Sequence, residues 1–258
     1  MTHHVSPKKA LGQHFLADAN IARQIAGSLT GHGRYTTVLE VGPGTGMLSR
    51  HLISREKIRW YGLEVDAESV RYLHARYPEL KERIIEGDFL SWDISKIADK
   101  EPVAVIGNFP YNISSQILFR VLHHRYRIPE VVGMFQKEVA KRIAAPPGSK
   151  TYGILSVLMQ AFYKVELLFD VPPHVFVPPP KVDSAVLRLT SRPNMSLDCD
   201  EALFFAVVKT AFNQRRKTLR NSLKGLHVDW AELNPRIRGE RPEQLTVSEF
   251  VEIARHTG

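Results

Sequence analysis

The chain has 258 residues, 43% hydrophobic and 24% charged, which is enough apolar material for one large α/β domain with a small appendage or for a single large domain, and argues against disorder as the default. Lys and Arg number 35 against 27 Asp and Glu, a formal net charge of +8 that points to a polyanionic partner, nucleic acid first; the plainer reading is a surface kept soluble. The single cysteine, Cys199, excludes an internal disulfide and a thiolate metal site, no apolar run reaches membrane-span length, and residues 1–9 lack the apolar stretch of a secretory signal, so a cytoplasmic setting without membrane contact is expected.

From residue 36 to 132, short β-rich apolar runs alternate with helical patterns, the rhythm of a doubly wound parallel sheet. Strands are predicted at residues 37–41, 59–63, 83–86, 103–106 and 130–135, with helices at 46–54 and 67–77 between them. In the helix predicted at 113–122, Ile113, Ile117, Leu118, Val121 and Leu122 share one face suited to lying on the sheet, and residues 153–162 read the same way. Two further strand-like runs, 164–169 and 185–190, flank a proline-rich stretch and read as an antiparallel edge on the parallel sheet. Residues 192–200 read as a linker, and a helical tail follows. Between Ala202 and Val228 that tail holds no acid, while Lys209, Arg215, Arg216, Lys217, Arg220 and Lys224 are basic. A charged solvent face explains such a run too, but with no intervening acid to pair with, phosphate contact by Arg215, Arg216, Lys217, Arg220 and Lys224 is the stronger reading.

The first strand runs into Gly42-Pro43-Gly44-Thr45-Gly46. Glycines there let the backbone turn sharply and let a ligand approach without a Cβ in the way. The spacing G-x-G-x-G differs from the G-x-G-x-x-G of a dinucleotide site and favours an adenosyl ligand without a pyrophosphate. Glu64 ends the second strand, at the offset of about 20 residues at which a carboxylate accepts from ribose hydroxyls. Asp88 ends the third, placed to accept from an adenine amino group. Singly, each feature is an ordinary turn or helix cap; three in order at one sheet edge outweigh that reading.

The fourth strand ends in Asn108-Phe109-Pro110-Tyr111. As a bare tetrapeptide this is as readily a turn. After the glycine loop, Glu64 and Asp88, it fits the chemistry of an exocyclic adenine amine, a poor nucleophile whose lone pair is delocalised into the ring. The Asn108 side-chain oxygen and the carbonyl of Phe109 or Pro110 can accept its two N–H bonds and aim the nitrogen at a sulfonium methyl, while Tyr111 stacks on a base out of its helix.

Taken with residues 11–16 (LGQHFL), 177–184 (VPPPKVDS) and 212–221 (FNQRRKTLRN), these motifs resemble the ribosomal RNA adenine N6,N6-dimethyltransferases, more closely their bacterial small-subunit branch, over nearly the whole chain. The resemblance implies a Rossmann-like S-adenosylmethionine methyltransferase sheet and a small C-terminal helical domain. Residues 1–191 would form the cofactor-binding catalytic domain, with an N-terminal segment covering the cofactor, and 192–258 the basic RNA-binding domain. It implies that His14 and Leu16 close over S-adenosylmethionine, that Gly42, Gly44, Gly46, Glu64, Asp88 and Asn108 complete its site, and that Asn108, Pro110 and Tyr111 carry the reaction. It also implies that two neighbouring adenosines in a hairpin near the 3′ end of the small-subunit RNA are each dimethylated during subunit assembly. His14 stands where asparagine is frequent and Phe109 where leucine is usual; an imidazole still makes one hydrogen bond. An aromatic from this segment, Phe15, is a candidate to sit opposite Tyr111 across the target base, with a plain core role equally open. No histidine spacing marks a metal site, and a monomer is the default expectation. The alternatives are an adenine methyltransferase of DNA or of large-subunit RNA, and an assembly factor whose methylation is dispensable.

Overall fold

The computed structural model describes residues 5–258, so the readings that fall on residues 1–4 lie outside it. The chain divides into two compact units, Met1–Ala140 with Glu166–Ser191, and Lys141–Val165 with Arg192–Gly258. In the first unit the elements run β1 (Phe15–Leu16), α1 (Ala19–Gly27), β2 (Thr37–Val41), α2 (Ser49–Ile53), β3 (Arg59–Glu64), α3 (Ala67–Arg76), β4 (Ile84–Glu86), α4 (Ser95–Ala98), β5 (Val103–Asn108), α5 (Ser114–His123) and β6 (Glu130–Gln136). Next in the chain come α6 (Lys137–Ile143), α7 (Ile154–Phe162), β7 (Tyr163–Val171), β8 (Phe176–Val177) and β9 (Ser184–Ser191).

Seven strands form one sheet in the order β4-β3-β2-β5-β6-β9-β7. β2 is paired in parallel with β3 and with β5, and β5 with β6, while β9 runs antiparallel to β6 from Glu130↔Thr190 to Gln136↔Ser184. The sequence explains the pairing: β2 and β5 are mostly apolar and buried along their length, as strands covered on both faces must be, with Glu40 the one acid in β2. Between β2 and β5 the strand order reverses, and at such a switch point the loops leaving the strands part and open a crevice. The helices pack by their apolar stripes, α5 through Ile117, Leu118, Val121 and Leu122. Asp18 and Asp66 start α1 and α3 by accepting backbone N–H bonds of the first turn.

In the second unit α8 (Glu201–Asn213), α9 (Leu219–Ser222) and α10 (Val247–Arg255) bury Phe204, Val207, Val208, Leu219, Phe250 and Ile253. Two expectations change here. The helix at 153–162 was expected to lie on the sheet; α7 instead belongs to this unit, its Phe162 ring meeting Phe204 and Phe205 at 6.5 and 6.3 Å. Its residues are apolar almost all round, so helical spacing alone does not say which neighbour they bury against. The expected helical tail breaks after Asn213: Gln214 leaves helical geometry (φ −120°, ψ 47°), and Arg215, Arg216 and Lys217 lie in the turn before α9. No helix among the described residues is long and apolar enough to cross a membrane.

A buried carboxylate ties the α1–β2 connection to the start of β6. Glu130, fully buried, accepts from the backbone N–H groups of Thr30, Gly31 and His32, from the Thr30 hydroxyl and from the Tyr35 hydroxyl at 2.8 Å. Glu130→Ala leaves these donors without their acceptor and is expected to cost about 3 kcal/mol or more, read as a lower urea midpoint; an unchanged midpoint would refute the role assigned to this clamp.

Candidate active site

The carboxyl ends of β2, β3, β4 and β5 surround a cavity of about 680 Å³, open mouth included. Its floor is the glycine loop after β2. Gly42, Gly44 and Gly46 all have positive φ, which delays α2 until Ser49 instead of the residue 46 expected from the pattern. At Gly44 a Cβ would stand 2.9 Å from the Phe15 ring, so glycine is needed there for close packing as well as for the turn. Gly46 is different: a Cβ would press on Leu73 of α3 at 3.1 Å, and Gly46 does not line the cavity.

Glu64 closes one side. It is 3% exposed and takes the Gly44 N–H at 2.9 Å and the Asp66 N–H at 3.0 Å. Burial pushes its carboxyl above the usual glutamate range, with these backbone donors pulling the other way. Asp88 is exposed at the cavity rim, accepting from the Leu90 N–H at 2.9 Å. Val65, Phe89 and Ile113 supply apolar wall; a strand-end reading that looked only for carboxylates passed over them.

The tetrapeptide closes the opposite side, and Asn108, Phe109, Pro110 and Tyr111 all line the cavity. Phe109 is also the anchor of the turn: 1% exposed, it meets Phe135 edge-on at 5.2 Å and fills space left by Gly107 and Gly133. A phenyl group therefore has room at this position. The Tyr111 hydroxyl shares a hydrogen bond with Ser184 Oγ, and burial pushes the phenol up, keeping it neutral. Pro110 O already accepts from Ile113 N at 3.2 Å, which leaves Phe109 O the freer of the two carbonyls.

A strap formed by residues 8–15 completes the enclosure, with Leu11, Gly12, Gln13, His14 and Phe15 lining the cavity. Lys8 pairs with Asp66 and Glu68 at one end, and β1 pairs with β8 at the other, Phe15↔Val177 and Leu16↔Phe176. Between them, Asn108 Nδ2 donates to His14 O at 2.8 Å, and His14 Nδ1 lies 2.7 Å from Pro178 O, which can only accept, so Nδ1 carries the proton. His14, and not Phe15, faces Tyr111: their rings stack at 5.5 Å with 27° between planes, while Phe15 lies on Gly44. Leu16 is 5% exposed and outside the cavity lining, because strand alternation turns it away from the face that Phe15 presents. Of the sequence candidates, then, His14, Gly42, Gly44, Glu64, Asp88, Asn108, Pro110 and Tyr111 converge, and Leu16 and Gly46 support from behind. Leu11, Gly12 and Gln13, part of the 11–16 motif, line the cavity although the sequence marked none of them as a site residue.

In the second unit Arg215 is half-buried, donating to Lys150 O at 2.6 Å and pairing with Glu243 at 3.7 Å. The acid missing from the local sequence is supplied from far along the chain. Arg216, Lys217, Arg220 and Lys224 are exposed. Among the described residues no group of His, Cys, Asp and Glu is placed to hold a metal ion.

A family model described as ribosomal RNA adenine dimethylase matches residues 5–253. The chain belongs to that family. It is 55% identical to the ribosomal RNA small subunit methyltransferase A of Flavobacterium johnsoniae over 247 residues, 96% of this chain and 94% of that protein. With the protein of the same name from Cytophaga hutchinsonii the identity is 54% over 251 residues, 96% of each. Among solved structures, a dimethyladenosine transferase from Plasmodium falciparum shares the fold (TM-score 0.75, 23% identity, 93% of this chain and 96% of that one). So does the 23S rRNA methyltransferase ErmE (TM-score 0.71, 25% identity, 93% and 99%). The family fold and the cavity at its switch point thus agree with the Rossmann-like methyltransferase sheet expected from the motifs.

Behind the glycine loop, Glu40 is 1% exposed and accepts from Trp60 Nε1 at 2.8 Å. Burial is the main cause that pushes its carboxyl up to about 7, with the Glu64 charge adding to it. Its folded pKa thus exceeds the ordinary 4.5, so stability falls as pH rises from 4.5 to about 7, and the full cost, about 3 kcal/mol, applies above that. Glu40→Gln is expected to raise the denaturant midpoint at pH 8 and to lose this gain as pH falls toward 4.5; a gain independent of pH would refute the assignment.

Proposed function

We propose that this chain dimethylates N6 of two adjacent adenosines in a hairpin near the 3′ end of small-subunit ribosomal RNA, with S-adenosylmethionine as methyl donor, during subunit assembly. The observation that carries the reading is the convergence of Glu64, Asp88 and the Asn108–Tyr111 turn on one cavity, in a chain of this family. The cavity's donor set fits an adenosyl group. Glu64 spends two of its acceptor sites on Gly44 and Asp66 and keeps capacity for ribose hydroxyls, Asp88 offers an acceptor at the rim, and Val65, Phe89 and Ile113 suit a flat base. When bound, S-adenosylmethionine supplies an electrophilic methyl group on a sulfonium centre.

The protein's own part is positioning. Asn108 Oδ1 and Phe109 O accept the two N–H bonds of the target amine, drawing the nitrogen out of conjugation with the ring and orienting its lone pair. Tyr111, held through Ser184, gives the unstacked base a flat surface. No strong base is needed, because the alkylated amine is acidic enough to release its proton to water. The exposed Arg216, Lys217, Arg220 and Lys224 serve phosphate contact, with Arg215 chiefly holding its own turn. The setting is the cytoplasm and the working form a monomer.

The decisive assay is methyl transfer to undermethylated small subunits followed by mass analysis of nucleosides. N6,N6-dimethyladenosine is expected, and Asn108→Ala is expected to cut turnover by about 10²- to 10³-fold; full turnover in that variant would overturn the residue roles. The likeness to ErmE makes large-subunit RNA the competing substrate, and preferential methylation of it in the same assay would replace this reading. Subunit binding without methylation would favour an assembly factor. For the basic turn, Arg216→Glu with Lys217→Glu is expected to weaken subunit binding and reduce the slope of log affinity against log salt by about 2; an unchanged slope would refute phosphate contact.

A further inference from the structure

We infer that the main-chain carbonyl of His14 decides which end of the Asn108 side chain meets the target amine, making His14 a positioning residue for methyl transfer. The inference rests on the reading of Asn108 Oδ1 as an acceptor for N6–H.

A side-chain amide has two ends of nearly the same shape and opposite function: the oxygen accepts and the NH2 donates. Turned the wrong way, Asn108 would set its own NH2 against the NH2 of adenine, donor against donor, and the lone pair would lose its alignment. The backbone does little to prevent this, because parallel pairing with β6 fixes the main chain at Asn108↔Met134 but leaves the terminal side-chain torsion broad. What sorts the two ends is a group 94 residues away in sequence. Asn108 Nδ2 donates to His14 O at 2.8 Å. A carbonyl oxygen can only accept, so this contact admits one orientation of the amide. Oδ1 meets no protein donor among the described residues and is left for the substrate.

The carbonyl is itself held firmly. Lys8 pairs with Asp66 and Glu68, and its N–H donates to Gln13 Oε1 at 2.8 Å. The His14 ring is tied to Pro178 O, and the next residue, Phe15, enters the β1–β8 pairing. Gly12 lies so close to Asn112 that a Cβ would stand 2.6 Å from Asn112 Oδ1. The strap therefore does more than cover the cavity: its position is coupled to the rate of transfer at saturating methyl donor.

Asparagine and aspartate respond differently to such a sorter, which gives the test. An aspartate at 108 has two acceptors and needs no sorting, yet it has no proton for His14 O and would set oxygen against oxygen. Gly12→Val strains and shifts the strap, since Gly12 has φ +63°, a backbone conformation that a β-branched residue rarely adopts. Turnover is measured at saturating S-adenosylmethionine, with its affinity determined separately, in the unsubstituted chain, Asn108→Asp, Gly12→Val and the double variant. Asn108→Asp is expected to cost about 10²-fold in the unsubstituted chain and less than about tenfold beside Gly12→Val. Equal losses in both backgrounds would overturn the proposal. Asn108→Ala separates this from the underlying reading: full turnover there removes the role of Asn108 itself, whereas an inactive Asn108→Ala with equal aspartate losses removes only the role of His14. A second measurement needs no turnover. In the full chain labelled with 15N-asparagine, the Asn108 side-chain amide is expected to exchange its protons slowly and to lose that protection in Gly12→Val. An Asn108 amide that exchanges as fast as that of exposed Asn112 in the unsubstituted chain would equally overturn it.

Discussion

The parallel register of β2 against both of its neighbours determines where the groups of the site stand. Glu40 of β2 lies opposite Gly62 of β3 and Ile106 of β5, so the three strands end at the same level and release their loops into one crevice. The glycine loop, Glu64 and Asn108 are consequences of that alignment. A slip of one residue along β5 would turn Asn108 to the other face of the sheet and remove it from the cavity. Deeply buried apolar strands hold such a register well, and the side chains that carry polarity at their ends inherit its accuracy.

Polar groups in this site are held by other polar groups, and few are left to water. Burial raises the cost of a charge on Glu64, and two backbone donors offset part of that cost. Tyr111 is neutral and tethered, and Asn108 is oriented by a carbonyl. In the proposed reaction such an arrangement would lower the barrier by having the acceptors in place before the amine arrives. The strap unites the two sides of the cavity, since the same residues enclose it over Gly44 and reach the Asn108–Tyr111 turn at Asn108.

The second unit follows the same logic on a looser scale. A basic turn with no acid in its own sequence still loses one of its cations, Arg215, to Glu243. The others remain at the surface between α8 and α9. Screened, exposed cations of this kind contribute little to stability and are free to contribute affinity for a polyanion.

Much was legible in the linear chain because it is local. Alternation and apolar runs marked every strand of the large sheet to within a residue or two, and the ends of those strands carried Glu64, Asp88 and Asn108 in readable order. Strand alternation also could have placed Leu16 behind Phe15, had the two-residue strand that holds them been visible in so short a segment. By itself the sequence determined the sheet, the glycine loop, the Asn108–Tyr111 turn and the family to which they belong. Only the tertiary structure decided that α7 packs with α8, that Glu243 takes Arg215, that His14 and not Phe15 faces Tyr111, and that a carbonyl 94 residues away orients Asn108. Each of these depends on which distant backbone or side chain comes within about 3–4 Å, and residue type and spacing carry no information about that distance until the chain has folded.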